Sequence, residues 1–222
     1  MGYKLDDKNI EFPSKHMSKI GTGKNGDVYK YRDMALKVFK ENKDTPIDVE
    51  TTEYLSKIST TRIILPKNLL FYNNAFRGYT HKLIDKKGTG KRLIMLPKTD
   101  LVQDIRVLES DVETLSNKQV LLSGVEKDNT IFNGNLYLID PTGYRVLEDC
   151  DSEQLEKLNK YQLHLLLVSL ITSELGKNNF SNRIQDNIKE LLKMKDAHTN
   201  SSEFFSDIIG NNESVKEFVK KI

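Results

Sequence analysis

Three glycines near the start of the chain have a spacing that could bring backbone close to a phosphate group. Gly21, Gly23 and Gly26 follow the pattern G-x-G-x-x-G, and Val28 stands two positions further on. Glycine has no Cβ, so a turn of this composition lets backbone N–H groups approach a polyphosphate. Val28 would then offer an apolar surface to a flat base. The spacing indicates a nucleotide-binding loop between two strands.

A lysine follows in the segment MALKVF, which reads as an apolar strand. Alternation places Ala35 and Lys37 on one face of this strand and Leu36 on the other. An isolated lysine on an otherwise apolar strand needs an anionic partner, either a phosphate or a carboxylate. We therefore expect Lys37 to be a phosphate- or carboxylate-binding residue.

Other interpretations of the glycines are weaker. A Rossmann fingerprint requires a helix at the third glycine, but VYKYRDMALKVF continues as strand. A Walker A loop requires Ser or Thr after Gly-Lys, and neither Gly23-Lys24-Asn25 nor Gly90-Lys91-Arg92 supplies it. On the glycines alone, a hairpin without any ligand stays open as an alternative.

A carboxylate on the next predicted helix could be the partner of Lys37. Thr45 and Pro46 are typical of a helix start, and the helix should run to about Ser59. The apolar face of this helix then includes Glu50, which would need a cation there. Glu53 is the alternative partner, and a plain surface position for Glu50 also stays open. The predicted face comprises Ile47, Glu50, Tyr54 and Ile58.

Asn133-Gly134, between two short β-prone segments, predicts a tight hairpin in the middle of the chain. Asn129 and Asp140 stand at its two ends. An amide and a carboxylate in such positions can converge on a divalent cation, and their oxygens suit Mg²⁺. The sequence thus predicts a metal site formed by these two residues.

Together these features resemble the protein-kinase-like family. Its Gly-rich loop G-x-G-x-x-G-x-V, strand lysine, catalytic-loop Asn and metal-binding Asp match residues of this chain. In that family a helix glutamate pairs with the strand lysine and holds it on the α- and β-phosphates. The matching residues are Gly21, Gly23, Gly26, Val28, Lys37, Glu50, Asn129 and Asp140. The resemblance implies that ATP and Mg²⁺ are bound, with Ile20, Val28, Ala35, His81 and Leu83 around the nucleotide.

The resemblance also implies a two-lobe α+β fold. Residues 1–84 would form an N-lobe with a five-stranded antiparallel sheet and one helix. Residues 85–222 would form a reduced, mainly helical C-lobe that contains the metal-binding hairpin, with a hinge or insertion at 85–92. His81 would be an exposed residue of the connector between the lobes. In the N-lobe, the turn-prone pair Asn73-Asn74 would join strands at 63–71 and 76–84. In the C-lobe, a helix opening at Thr99 and Asp100 is predicted from an apolar stripe of Leu101, Ile105, Leu108, Val112 and Leu115. Further helices are predicted from Asp151 to about 175 and at 181–195, 201–209 and 213–221.

The catalytic elements depart from the family pattern. Gly124, in Leu122-Ser123-Gly124, replaces the H-R-D aspartate, and Glu126 or Asp128 would have to substitute for it. The D-F-G element has become Asp140-Pro141-Thr142-Gly143. Pro141 is the last proline of the chain, so an A-P-E element is missing.

Composition narrows the classes of function. The chain has 34 basic and 32 acidic residues and a net charge of +2, which gives no argument for nucleic-acid binding. The single cysteine, Cys150, excludes an internal disulfide and a cysteine-based zinc site. No segment is long and apolar enough to span a bilayer. We expect a cytoplasmic protein that does not bind membranes.

Two functions follow from the resemblance. The first is a divergent kinase-like phosphotransferase that binds ATP and Mg²⁺ and acts on a protein hydroxyl. The second is a pseudokinase, a nucleotide-binding module that engages a protein partner without efficient phosphotransfer. A small-molecule kinase is a third and weaker interpretation. General base catalysis contributes roughly 10²- to 10⁴-fold, so a slow enzyme is compatible with Gly124 at the base position.

Overall fold

The computed structural model describes residues 2–6, 8–12, 17–41, 45–85, 93–176 and 200–221. It is an α+β structure, in which a seven-stranded antiparallel sheet is followed by a mainly helical C-terminal part. The chain forms two compact units. The first comprises Met1–Thr60, Ile64–Asp85 and Ile139–Tyr144, and the second comprises Thr61–Ile63, Lys86–Leu138 and Arg145–Ile222. The chain therefore passes between the units more than once, whereas the sequence-based division had one boundary, between residues 84 and 85.

Within the described residues, seven strands form the sheet of the first unit: β1 (Tyr3–Leu5), β2 (Lys8–Ile10), β3 (Ser18–Thr22), β4 (Gly26–Tyr31), β5 (Met34–Phe39), β6 (Pro66–Tyr72) and β7 (Ala75–Lys82). Their order is β2-β1-β6-β7-β5-β4-β3. β5 lies between β4 and β7, and its residues Ala35, Leu36 and Lys37 are buried. The central position of β5 thus carries a lysine into the interior of the unit.

The prediction of five strands was wrong, because it missed the two N-terminal strands β1 and β2. β1 pairs with β6, with Tyr3 opposite Tyr72, and the rings of these two residues lie 4.5 Å apart. The ring of Phe12 packs edge-on against Tyr3 at 4.8 Å. Each added strand has only three residues, too few for an alternating pattern to stand out from a polar segment.

Both predicted hairpin turns are confirmed. Asn73 and Asn74 connect β6 and β7 and adopt φ values of 49° and 67°, which asparagine tolerates better than most residues. In the second unit, β9 (Thr130–Phe132) and β10 (Leu136–Leu138) form the hairpin around Gly134, whose φ is 100°.

The helix of the first unit, α1 (Val49–Ser56), starts later than predicted. Asp48, not Thr45, is its N-cap, and an Asp48 carboxylate oxygen accepts a hydrogen bond from the Thr51 N–H at 2.6 Å. The buried residues of the helix are Thr52 and Leu55. The buried face therefore differs from the one predicted from Ile47, Glu50, Tyr54 and Ile58.

The second unit contains α2 (Lys98–Asn117), α3 (Ser152–Gly176), α4 (Ser201–Ile209) and α5 (Val215–Lys221), with the short strands β8 (Val120–Leu121) and β11 (Arg145–Val146). The predicted apolar stripe of α2 is confirmed, because Leu101, Ile105, Leu108, Val112 and Leu115 are all fully buried. α4 and α5 correspond to the predicted helices at 201–209 and 213–221. The helix predicted at 181–195 lies outside the described residues, as does the 85–92 loop apart from Asp85.

Charged groups connect α2 to the hairpin β9–β10 inside the second unit. The Arg62 guanidinium contacts Asp104 of α2 at 3.2 Å and donates to Tyr137 and Asn135 of the hairpin region at 3.0 and 2.8 Å. Asp104 also accepts the Leu136 N–H at 2.6 Å. Buried charges that are paired and hydrogen-bonded in this way fix geometry. The position of the hairpin in this unit is thus set by polar contacts with α2.

No helix in the described part of the chain has both the length and the apolar character needed to cross a membrane.

Candidate nucleotide site

The glycine segment forms the turn of a β-hairpin. β3 and β4 pair with Gly21 opposite Val28, and the Gly23 N–H donates to the Gly26 carbonyl at 2.8 Å. The Lys40 ammonium donates to the Gly23 carbonyl, also at 2.8 Å. These two hydrogen bonds define the shape of the turn.

The three glycines have different structural reasons to be glycine. A Cβ on Gly26 would lie 2.5 Å from the Val38 carbonyl oxygen, so the pairing of β4 with β5 requires glycine there. A Cβ on Gly21 or Gly23 would meet nothing closer than 3.7 or 3.6 Å, which is ordinary contact. The packing of the sheet thus explains Gly26 but leaves Gly21 and Gly23 unexplained. Close approach of a ligand to the backbone would explain them.

This difference gives a prediction with a matched pair of variants. Gly26→Ala should lower the free energy of unfolding by about 1–3 kcal/mol, because the new methyl group overlaps backbone of β5. Gly23→Ala should change the free energy of unfolding by less than about 0.5 kcal/mol. If the hairpin binds phosphate, Gly23→Ala should nevertheless weaken ATP binding. The measurements are urea unfolding and ATP titration on both variants; strong destabilisation by Gly23→Ala would contradict the assignment.

Lys37 lies in the interior of the first unit and forms an ion pair there. It is 5% exposed, and its strand neighbours are Val28 of β4 and Tyr79 of β7. Its Nζ atom is 2.5 Å from Oδ1 of Asp140. The expectation that this lysine needs an anionic partner is therefore met by a carboxylate of the same unit.

The predicted pairing of Lys37 with Glu50 is corrected by this geometry. Glu50 is exposed in the first turn of α1, and in the described residues the carboxylate that pairs with Lys37 is Asp140. The physical reason is the packing of α1 against β6, which buries Thr52 and Leu55 and leaves Glu50 on the exposed side. Glu53, the alternative, is also on the surface and pairs with Lys57 at 3.0 Å.

Asp140 is held by donors that all reach the same oxygen atom. Oδ1 accepts the ammonium of Lys37, the hydroxyl of Thr142 at 2.8 Å, the N–H of Thr142 at 3.3 Å and the hydroxyl of Tyr79 at 3.5 Å. Oδ2 has no hydrogen-bond partner in the described part of the chain, and the side chain is 24% exposed. Asp140 also has φ 66°, a left-handed conformation that is uncommon for residues other than glycine but that aspartate adopts more readily than most.

The pKa values of Lys37, Asp140 and Tyr79 are shifted by burial and by the contacts among these residues. Burial lowers the pKa of Lys37, and the opposing attraction of Asp140 does not fully offset it. Burial alone would raise the pKa of Asp140, but Lys37 and the hydrogen bonds from Thr142 outweigh it and lower the pKa. Burial also raises the pKa of Tyr79 well above its ordinary value, so the phenol stays protonated and can donate.

A pH dependence follows from the lowered pKa of Asp140. Because the folded-state pKa lies below the unfolded value of about 3.9, the stabilising contribution of Asp140 is complete above about pH 4 and is lost as the pH falls through the folded-state pKa. The difference in free energy of unfolding between the natural protein and Asp140→Asn should therefore shrink below about pH 4. Urea unfolding at a series of pH values tests this. A difference that stays constant from about pH 7 to about pH 3 would contradict it.

The residues expected around a nucleotide base have varied environments. Ile20 is 43% exposed, Val28 and Leu83 are half-buried, and Ala35 is buried. His81 is 8% exposed, so its assignment to an exposed connector was wrong; β7 extends to Lys82 and includes it. Its Nδ1 atom lies 2.9 Å from the Lys82 carbonyl oxygen, which requires an N–H there, and burial lowers the pKa of His81. Burial thus favours the neutral form of His81, which lies opposite Ala35 on the neighbouring strand.

Asn129, the second predicted metal ligand, belongs to the second unit, whereas Asp140 belongs to the first. Its side-chain amide donates to the Gly124 carbonyl at 3.1 Å. Gly124 has φ 69°, and Glu126 and Asp128 beside it are exposed. The convergence of Asn129 and Asp140 on one cation stays a prediction.

Asp140 offers few ligand atoms to a metal, so the site suits a cation whose other ligands come from a bound molecule or from water. Among the residues that the structure describes, no group of three or more His, Cys, Asp or Glu side chains is arranged to hold a metal. Oδ2 of Asp140 can offer one carboxylate oxygen. Mg²⁺ commonly binds through one or two carboxylates together with phosphate oxygens and water. The site thus fits Mg²⁺ bound with a polyphosphate better than a free metal centre.

Sequence reasoning missed Tyr79 and Thr142 as parts of the site. The signal for Tyr79 was its position opposite Lys37, but this becomes visible only when the register of β5 and β7 is known. The signal for Thr142 was its place two residues after Asp140, where a hydroxyl can return to the carboxylate. Both residues donate hydrogen bonds to Asp140, but neither belongs to a sequence motif that would have singled it out.

A concave region of the first unit contains none of these residues. It is a groove of about 630 Å³ lined by Gly2, Tyr3, Lys4, Asn9, Ile10, Phe71, Asn73 and Asn74. Lys4 is its one charged lining residue, and the groove has no carboxylate or histidine with which to perform acid–base chemistry. The ion pair of Lys37 and Asp140 therefore marks the stronger candidate.

No protein-family model and no curated protein matches this sequence. What the chain offers toward a function is thus the arrangement of its own residues: a glycine hairpin, a buried lysine and a partly exposed aspartate within one compact unit.

Proposed function

We propose that this protein binds ATP with Mg²⁺ and is a phosphotransferase of a divergent protein-kinase-like type. The glycine hairpin and Lys37 would hold the phosphates, and Asp140 would hold Mg²⁺. The observation that carries the proposal is the ion pair of the buried Lys37 with Asp140, 2.5 Å apart, in the same unit as the glycine hairpin.

The donors of Lys37 support phosphate binding. An ammonium group has three donor hydrogens, and Asp140 is its one hydrogen-bond acceptor among the described residues. Burial of a cation with a single partner is costly unless further anionic contacts form. Phosphate oxygens would supply those contacts. Lys37 therefore has both the capacity and a physical reason to bind a second anion.

The arrangement of elements also supports the kinase-like assignment. In that family the lysine lies on the third strand counted from the start of the Gly-rich loop, and a helix follows. Here Lys37 lies on β5, the third strand counted from β3, and α1 follows. The exposed Glu50 departs from the family, since the lysine there pairs with a helix glutamate. The two N-terminal strands β1 and β2 are a further feature of this chain.

Phosphoryl transfer depends mainly on positioning and on neutralisation of charge, which these residues could provide. When bound, Mg²⁺ would neutralise charge developing on the phosphates. Lys37 would orient the α- and β-phosphates, and Asp140 would fix the cation relative to them. The acceptor hydroxyl would lack the usual aspartate base, so we expect slow turnover.

A pseudokinase is the second candidate, and Gly124 favours it. It replaces the catalytic aspartate of the family, and its φ of 69° lies in the left-handed region, which glycine adopts without a steric cost. A protein of this kind would use bound nucleotide to stabilise a surface for a protein partner. The two candidates share the nucleotide site and differ in turnover.

The first experiment is a thermal unfolding series on the natural protein, Asp140→Asn and Glu50→Ala. ATP at 100 times its dissociation constant should stabilise the natural protein by about 2.7 kcal/mol in the presence of Mg²⁺. Asp140→Asn should lose the Mg²⁺-dependent part, and Glu50→Ala should keep the full effect because Glu50 is exposed. Absence of any stabilisation by ATP and Mg²⁺ would contradict both candidates. Release of ADP with a protein acceptor then separates phosphotransferase from pseudokinase.

A further inference from the structure

The two carboxylate oxygens of Asp140 differ in their hydrogen-bond contacts. The ammonium of Lys37, both donors of Thr142 and the hydroxyl of Tyr79 reach Oδ1. Oδ2 accepts no hydrogen bond from the described residues, while the side chain keeps a quarter of its surface accessible. A carboxylate in this state cannot rotate freely about its Cβ–Cγ bond, because turning its plane would break these contacts. One oxygen is therefore held and the other is left available.

The turn that follows Asp140 keeps Thr142 in place. Pro141 fixes its own backbone φ, and the Tyr144 N–H donates to the Pro141 carbonyl at 2.9 Å. Thr142 is 8% exposed, and its hydroxyl is 2.8 Å from Oδ1. Tyr79 is fully buried on β7, so its hydroxyl has a fixed position as well. The contacts to Oδ1 thus come from three separate parts of the first unit, because Lys37 on β5 also reaches this oxygen.

We infer that Thr142, assisted by Tyr79, is a positioning residue that fixes Oδ1 of Asp140 and thereby directs Oδ2 to a divalent cation. The inference rests on the proposed nucleotide site and adds to it which oxygen binds the metal and which residues orient it. Mg²⁺ requires near-ideal octahedral geometry, so a single, oriented carboxylate oxygen suits it better than a freely rotating carboxylate. Residues that orient metal ligands through hydrogen bonds affect metal affinity although they do not contact the ion.

The test compares Thr142→Val with Thr142→Ser. Valine has the shape of threonine without the hydroxyl, and serine keeps the hydroxyl. At a fixed, saturating ATP concentration, the Mg²⁺ concentration that gives half of the ATP-dependent rise in thermal midpoint is measured for each protein. Thr142→Val should raise this concentration about 10-fold, within the range for residues that orient metal ligands, and Thr142→Ser should stay within about twofold of the natural protein. The midpoint without Mg²⁺ and ATP reports stability separately.

The outcomes are distinct. Equal Mg²⁺ requirements for Thr142→Val and the natural protein would overturn the inference and leave the proposed function standing. Equal increases in Thr142→Val and Thr142→Ser would overturn it too, because they would indicate packing and not the hydroxyl. No Mg²⁺-dependent effect of ATP on the natural protein would overturn the proposed function together with the inference. Should Thr142→Val not fold, Tyr79→Phe provides the second test, and an unchanged Mg²⁺ requirement there would count against the inference.

Discussion

Replacement of Lys37 by methionine should lower the free energy of unfolding by about 3 kcal/mol and abolish stabilisation by ATP and Mg²⁺. The stability effect follows because the Asp140 carboxylate, three-quarters buried, would lose its cation. Removal of one partner of a buried ion pair typically costs about 3–5 kcal/mol, and the partial exposure of Asp140 places the value at the lower end. The measurement is urea unfolding together with ATP titration.

A double variant separates the two effects of Lys37. In Lys37→Met with Asp140→Asn, no charge is left unpaired, so stability should recover partly toward that of the natural protein. Binding of ATP should not recover, because the phosphate-binding cation is still missing. If the double variant is as unstable as the sum of the single variants, Lys37 and Asp140 do not interact energetically. If Lys37→Met still binds ATP with Mg²⁺ as the natural protein does, the proposed role of Lys37 is wrong.

Long regular patterns and turn chemistry predicted much of the fold correctly. The stripe on α2 repeats over five apolar residues, and the Asn73-Asn74 and Asn133-Gly134 turns have backbone requirements that few residue types meet. The glycine hairpin was predicted from the same kind of local information. Such signals depend on neighbours in sequence, which is why they could be read without the structure.

The errors have a common physical origin, since they concern contacts between distant segments. The partner of Lys37 follows from the placement of Asp140 in the first unit, and no spacing in the sequence reveals it. Glu50 was assigned by the phase of a short helix, whereas the buried face of α1 is decided by its packing against β6, a strand distant in sequence. The three-residue strands β1 and β2 are defined by pairing with β6 and not by a pattern of their own. Tertiary contacts decided each of these cases.

Replacement of Asp111 by alanine should destabilise the second unit strongly, with a loss of about 4 kcal/mol in the free energy of unfolding. Asp111 lies on α2 and is 5% exposed. Its carboxylate accepts the backbone N–H groups of Thr61, Arg62 and Ile63 at distances between 2.6 and 3.0 Å. Alanine would leave three donors without their acceptor, and each such group costs about 1–3 kcal/mol when it is shielded from water.

The destabilisation by Asp111→Ala should extend to the hairpin β9–β10, which precedes Asp140 in the chain. Ile63 forms a β-bridge with Leu138, and the Leu138 N–H donates to the Arg62 carbonyl at 2.9 Å. When the backbone of residues 61–63 is released from α2, this hydrogen bond should open more often. Hydrogen exchange at the Leu138 amide should therefore accelerate in Asp111→Ala beyond the change at amides in the middle of α3.

A matched control on the same helix isolates the role of the buried carboxylate. Glu113 is exposed two residues after Asp111, and Glu113→Ala should change the free energy of unfolding by less than about 0.5 kcal/mol. Asp111→Asn keeps one acceptor oxygen and should fall between the natural protein and Asp111→Ala. An equal loss of stability in Asp111→Ala and Glu113→Ala would show that the three backbone contacts do not contribute. Protection of the Leu138 amide from exchange thus depends on the buried carboxylate of Asp111. An aspartate is usually found on the surface, but this one is buried because it accepts hydrogen bonds from three backbone N–H groups.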